Sequence, residues 1–114
     1  ILTSGKVYYD LAAERDRTSA NVALLRLEQY YPFPQAMLGQ ALGAYPNATG
    51  IVWVQEEPRN MGAWRFLCER IRTILRPDQK LEYGGRPPAA APATGSHHRH
   101  EEQQKALVQR AVGG

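Results

Sequence analysis

Apolar residues recur along this chain in two alternating rhythms. Residues 1–3 read as the end of a strand, and Ser4-Gly5-Lys6 follows as a turn. Val7, Tyr8, Leu11 and Ala12 then fall at helical spacing, with Asp10, Glu14, Arg15 and Arg17 on the other side. Ser4 is the N-cap candidate for that helix. Residues 18–21 are polar and predict a loop. Residues 22–27 form a near-continuous apolar run, the pattern of a strand buried on both faces.

Tyr30-Tyr31-Pro32-Phe33-Pro34 stops that strand, and Pro34 suits the first position of a helix. Met37, Leu38, Ala41 and Leu42 mark the inward face of a helix over 35–44, ended by Gly43 and Tyr45-Pro46-Asn47. Residues 51–54 are the clearest strand. Asn60 is the N-cap candidate for the most strongly patterned helix, whose stripe is Trp64, Leu67, Cys68, Ile71, Ile74 and Leu75. Glu69 lies within reach of Arg65 and Arg72 on its outer face. Pro77 stops this helix, residues 80–83 form a short strand, and Pro/Ala-rich 86–93 admits neither regular helix nor central strand. A final helix over 97–112 turns Leu107, Val108 and Ala111 inward. The order β-α-β-α-β-α-β-loop-α predicts an α/β fold. Its mainly parallel sheet is covered by helices on both faces, in three layers.

With 114 residues, 43% hydrophobic and 22% charged, the chain has room for one domain over 1–114 with a core of its own. No run approaches the roughly 18 consecutive apolar residues of a membrane span. The net charge of +3 comes from 14 basic and 11 acidic residues of interspersed sign, which excludes the clustered basic face of a nucleic-acid binder. The single Cys68 excludes an internal disulfide framework and points to a reducing compartment. Its place on an inward helical stripe makes it a core thiol. An opening Ile1 in place of methionine reads as a piece of a longer chain.

Candidate chemistry is sparse. The glycine fingerprint of dinucleotide sites, the phosphate loop of nucleotide hydrolases, the acidic set of phosphoacceptor domains and the serine nucleophile elbow are all absent. Glu56 and Glu57 end the 51–54 strand, where open α/β sheets place their sites. Neighbours in a strand point to opposite faces, so the two make a shared acid/base pair only if the chain has already turned. Otherwise they read as one paired and one solvated carboxylate. His97, His98 and His100 with Glu101 and Glu102 could hold a metal, but the spacing equally suits a solvated helix start. Thr94, Gly95 and Ser96 precede the last helix and, with Arg86, form a candidate effector or anion site. Arg59 or Arg65 could join it. Helix capping by Thr94 or Ser96 is the plainer role.

Four blocks, in order, resemble one family: Ser4-Gly5-Lys6-Val7-Tyr8-Tyr9-Asp10; Arg26-Leu27-Glu28-Gln29 with Tyr31-Pro32-Phe33-Pro34; Trp53-Val54-Gln55-Glu56-Glu57-Pro58 with Asn60, Gly62 and Trp64; and Gly85-Arg86-Pro87 through Ala91-Pro92-Ala93-Thr94-Gly95. Together they resemble the C-terminal domain of the 2-oxoglutarate dehydrogenase E1 component. The resemblance implies a transketolase-type C-terminal domain within a thiamine-diphosphate enzyme of the tricarboxylic acid cycle. That enzyme oxidatively decarboxylates 2-oxoglutarate and passes the succinyl group to a lipoyl group on E2. It further implies that thiamine diphosphate and Mg²⁺ are bound by preceding domains. No catalytic, cofactor or metal residue then falls on this chain, and the fragment alone is inactive. The implied role is structural: packing on the preceding E1 domains and supporting the homodimer, with Glu56, Glu57, Asn60 and Trp64 as candidate interface residues. No nucleic-acid or membrane partner is implied, and the implied location is bacterial cytoplasm or mitochondrial matrix. Tyr30 and Met61 depart from the family pattern, and Pro87-Pro88 resembles the 2-oxoadipate branch. The alternative is therefore a regulatory module binding an anion, nucleotide or acyl-CoA in the same or a 2-oxoadipate-type E1. The family's extra strand would precede the first strand here, leaving an exposed sheet edge.

Overall fold

The computed structural model describes residues 1–86 and 97–113, with side chains from Glu101 onward in the last helix. The elements run β1 (Leu2–Thr3), α1 (Val7–Thr18), β2 (Leu25–Arg26), α2 (Gln35–Gly43), β3 (Gly50–Val54), α3 (Trp64–Ile74), β4 (Lys80–Tyr83) and α4 (His97–Gly113). The four strands form one sheet in the order β2-β1-β3-β4, and every pairing is parallel. This is the alternating α/β fold that the sequence pattern predicts.

Strand alternation sorts the core into two clusters. Leu2, Ile51, Trp53 and Leu81 point to one face, where they meet Leu38 and Leu42 of α2 and Trp64, Leu67 and Ile71 of α3. Val54 points to the other face, against Val7 and Leu11 of α1 and Leu107, Val108 and Val112 of α4. Helices therefore cover both sides, giving three layers. Leu11, Leu67, Ile71 and Leu107 are all fully enclosed, and each such side chain stabilises the fold by about 1.5–3 kcal/mol relative to exposure. Thr3 is the polar exception in the sheet. Its Oγ1 donates to the Val54 carbonyl at 2.8 Å, which satisfies the buried hydroxyl.

Several local expectations are corrected. Ser4 does not cap α1: the N-cap position is Lys6, with no side-chain cap bond, after Gly5 turns the chain at φ +76°. Asn60 does not cap α3, which starts four residues later with Ala63 at the N-cap. The apolar run 22–27 is strand only at Leu25–Arg26, because its partner β1 is itself short. Being the outer strand, β2 has a sheet neighbour on one side alone, so its side chains are partly exposed. Met37 points outward at 73% exposure, while Leu38 and Leu42 carry the inner face of α2. Cys68 is half-buried at the margin of the α3 stripe rather than enclosed. Glu69 pairs with Arg72 at 2.9 Å.

Candidate functional site

The strand order has a topological switch. From β1 the chain crosses outward to β2, then returns past β1 to β3 on the other side. At such a switch the two connections diverge and open a crevice beyond the carboxyl ends of the strands. A cleft of about 390 Å³ lies there. Ser4 and Gly5 line it from β1, Tyr30 from the segment after β2, Gln55, Glu56 and Glu57 from the end of β3, and Arg86 from the end of β4.

Gln55 organises this cleft. Its side chain is 3% exposed, so both ends of the amide need partners. The Nε2 donates to the carbonyls of Met61 at 2.7 Å, Pro58 at 2.9 Å and Glu57 at 3.2 Å. The Oε1 accepts from the Trp53 ring N–H at 2.8 Å and from the Trp64 backbone N–H at 3.1 Å. One amide thus folds the loop between β3 and α3 around itself and caps the start of α3. Gly62 is part of the same turn. Its φ is +69°, and a Cβ there would sit 3.0 Å from Glu57 Oε2 and 3.1 Å from Gln55 Nε2, so a side chain would be strained by the backbone and crowded by its neighbours.

The loop after β4 closes against this turn. Arg59 N–H donates to the Arg86 carbonyl at 3.1 Å, and Pro58 bridges Arg86 in parallel fashion. Tyr83 donates its hydroxyl to the same Arg86 carbonyl at 2.5 Å. Burial pushes the Tyr83 phenol up to about 12, against the opposing pull of the Arg59 cation. Gly85 is pressed between these groups: a Cβ would stand 2.6 Å from the Tyr83 hydroxyl oxygen and 3.0 Å from the Gln55 carbonyl oxygen. The Arg59 guanidinium lies 5.4 Å from the Tyr83 ring centre and 6.0 Å from that of Trp64. The two rings pack 5.3 Å apart.

The predicted site residues are only partly brought together. Arg86 is 6% exposed, and its Nη2 donates to Gln104 Oε1 of α4 at 2.8 Å. Gln104 in turn donates to Asp10 Oδ2 of α1 at 3.2 Å. Arg86 thus ties the end of β4 to both helices of the far layer. Arg59 is stacked on aromatic rings, and Arg65 is exposed on α3. Thr94, Gly95 and Ser96 lie outside the described residues, as do the side chains of His97, His98 and His100. The chain turns before Glu56, and both Glu56 and Glu57 border the cleft, one half-buried and one exposed. Asn60 is exposed in the loop. Trp64 is 5% exposed and belongs to the core, so it offers no surface to a partner. Sequence reasoning named Gln55 only as a member of a block. Its flanking by Trp53 on one side and by Pro58 and Gly62 on the other was the available signal of a buried amide serving a turn.

Among the described residues, no three His, Cys, Asp or Glu side chains are grouped to hold a metal ion. Gln55 and Arg86 already bond within the protein and two carboxylates line the same cleft, so its described polar groups do not fit a Mg²⁺–diphosphate group. No helix among the described residues is long and apolar enough to cross a membrane.

Comparison with known proteins gives a consistent picture. A family model described as 2-oxoglutarate dehydrogenase C-terminal matches residues 1–112. The 2-oxoglutarate dehydrogenase E1 component of Cupriavidus necator is 52% identical over 112 residues, covering 97% of this chain and 12% of that protein. The protein of the same name from Coxiella burnetii is 46% identical over 115 residues, covering 98% and 12%. That of Rickettsia typhi is 43% identical over 116 residues, covering 99% and 12%. The chain spans about 12% of the length of these curated relatives.

Proposed function

The chain belongs to the 2-oxoglutarate dehydrogenase C-terminal family, and from that premise we propose that it is the non-catalytic, structural domain of an E1 component. In this reading the parent enzyme oxidatively decarboxylates 2-oxoglutarate and transfers succinyl to the lipoyl group of E2. The domain has a transketolase-type C-terminal fold, packs on the preceding E1 domains and supports the E1 homodimer. Thiamine diphosphate and Mg²⁺ sit in those preceding domains, and the enzyme works in the cytoplasm.

The observation that carries the proposal is how the cleft uses its polar groups. Gln55 commits both ends of its amide to the loop before α3. Tyr83 is held in its neutral form against a backbone carbonyl. Arg86 is turned toward Gln104. Groups spent on holding two loops together are poorly placed to transfer protons or bind a reacting acid.

The test pairs two proteins. The 114-residue chain with added thiamine diphosphate, Mg²⁺ and 2-oxoglutarate is expected to show no turnover. The full-length parent lacking this segment is expected to lose dimerisation along with activity. Turnover by the chain alone, or an intact active dimer without it, rejects the proposal.

A further inference from the structure

The lower end of the sheet contains an opening of strand shape. In the observed register Leu2 stands opposite Trp53 and Thr3 opposite Val54, so β1 pairs only with the last two residues of β3. On its other side β3 pairs along Gly50, Ile51, Val52 and Trp53 with β4. The stretch Gly50–Val52 therefore extends below β1. On the β2 side, residues 21–23 do the same.

A groove of about 400 Å³ fills the space between them. Its walls are Val22 and Ala23 on one side and Gly50 and Ile51 on the other. Leu42 of α2 closes it from one layer and Val112 of α4 from the opposite layer. A groove that reaches both helical layers passes through the plane of the sheet, which is where a strand would run. A surface pocket on one face would touch one layer.

The first residue already sits in that path as strand backbone. Ile1 N donates to the Ala23 carbonyl at 2.8 Å, and Leu25 N–H donates to the Ile1 carbonyl at 2.9 Å. Leu27 N–H continues the ladder to the Thr3 carbonyl at 2.7 Å. The Ile1 amine is pulled down from its ordinary value by burial alone. A peptide N–H suits this position, whereas an ammonium is penalised there.

We propose that the two residues immediately before Ile1 in the parent polypeptide occupy this groove, lengthening β1 into the central strand of the sheet. This rests on the chain being part of a longer polypeptide, as the 12% share of its relatives indicates, and not on what that polypeptide catalyses. The observed register sets the residue just before Ile1 opposite Ile51, and the one before that opposite Gly50. Alternate residues of a parallel strand bond to the same neighbour. Ile1 and Thr3 bond toward β2, so Leu2 and the residue before Ile1 bond toward β3. That residue accepts from the Val52 N–H and donates to the Gly50 carbonyl. Its side chain shares the face of Leu2, among Leu42 and Ile51, and is apolar.

The experiment uses the full-length parent. Hydrogen exchange resolved to single amides is read at Val52, with Val54 as the paired reference and the turn amides near Asn47 as the open one. The Val52 amide is expected to exchange within a few-fold of Val54 and on the order of 100-fold more slowly than the turn. In a second variant of the same protein, cysteine is placed just before Ile1 and combined with Ile51→Cys. A short bis-alkylating reagent is expected to cross-link the two within one chain. Fast exchange at Val52 overturns the proposal. Slow exchange without a cross-link, or with one between chains, also overturns it, because another strand then fills the groove.

Discussion

The backbone N–H of Trp64 donates at 3.1 Å to Oε1 of Gln55, nine residues earlier in the chain. A side chain at the end of a strand thus serves as the cap of the following helix, and its other end closes the loop between them.

Replacing that amide is expected to cost more than a typical core substitution. Gln55→Leu keeps the volume but strands the Met61 carbonyl, the Trp53 ring N–H and the Trp64 N–H. A loss of roughly 2–4 kcal/mol is expected, read as the midpoint shift in chemical denaturation. Gln55→Glu is expected to be worse at neutral pH, because a carboxylate then faces three carbonyls. Those carbonyls raise the folded pKa of the new acid above its unfolded value. Part of the lost stability is therefore present at acid pH and disappears as pH rises through the folded pKa. A Gln55→Glu variant as stable as the parent chain at pH 7 would contradict this account of the cleft.

The two glycines with most to say respond in opposite directions. Gly62 is at φ +69° with Glu57 and Gln55 atoms about it, whereas Gly39 lies inside α2 with nothing within 4 Å of where a Cβ would be. Gly62→Ala is expected to destabilise by about 1–2 kcal/mol. Gly39→Ala is expected to stabilise by about 0.5–1 kcal/mol, through the smaller entropy of the unfolded chain. Thermal unfolding of both variants side by side tests the pair.

These contrasts show what the sequence could and could not disclose. Helical stripes such as Leu67 with Ile71, and the strand around Trp53, are local patterns and were legible. The extent of β2 was not, since the apolar run from Val22 to Leu27 records burial while strand length is set by the neighbour β1. The start of α3 was hidden for a similar reason. Asn60 has the chemistry of a cap, but α3 starts only at Trp64, whose N–H is held by Gln55 from the end of the preceding strand. Arg86 looked like an anion ligand because its acceptor, Gln104, lies eighteen residues away on another element. Side chains that act across the fold leave little mark on their immediate surroundings.

Alkaline pH is expected to loosen the clasp between the β3 and β4 loops. Burial raises the Tyr83 phenol to about 12 from an ordinary value of 10.0. The folded state therefore holds the proton more tightly than the unfolded one. Its contribution to stability is complete below pH 10 and is lost as pH rises from there toward 12. Tyr83→Phe removes this dependence and the bond to the Arg86 carbonyl together. Stability measured across the alkaline range should fall less steeply in the variant than in the parent chain, and parallel slopes would refute the assignment.

The last prediction concerns how the end of β4 is held to the far helical layer. Arg86 Nη2 reaches Gln104 Oε1 at 2.8 Å, and Gln104 Nε2 reaches Asp10 at 3.2 Å. A buried charged donor on an amide acceptor is worth about 1.5–3 kcal/mol. Arg86→Ala is therefore expected to lower stability by about that amount, and Gln104→Ala by a comparable amount, because it leaves the buried guanidinium without this acceptor. If the two act through one bond, the double variant is less destabilised than the sum of the single ones, with a coupling of at least about 0.5 kcal/mol. Strict additivity would mean that Arg86 is held by other partners and that α4 is anchored mainly through Leu107, Val108 and Val112.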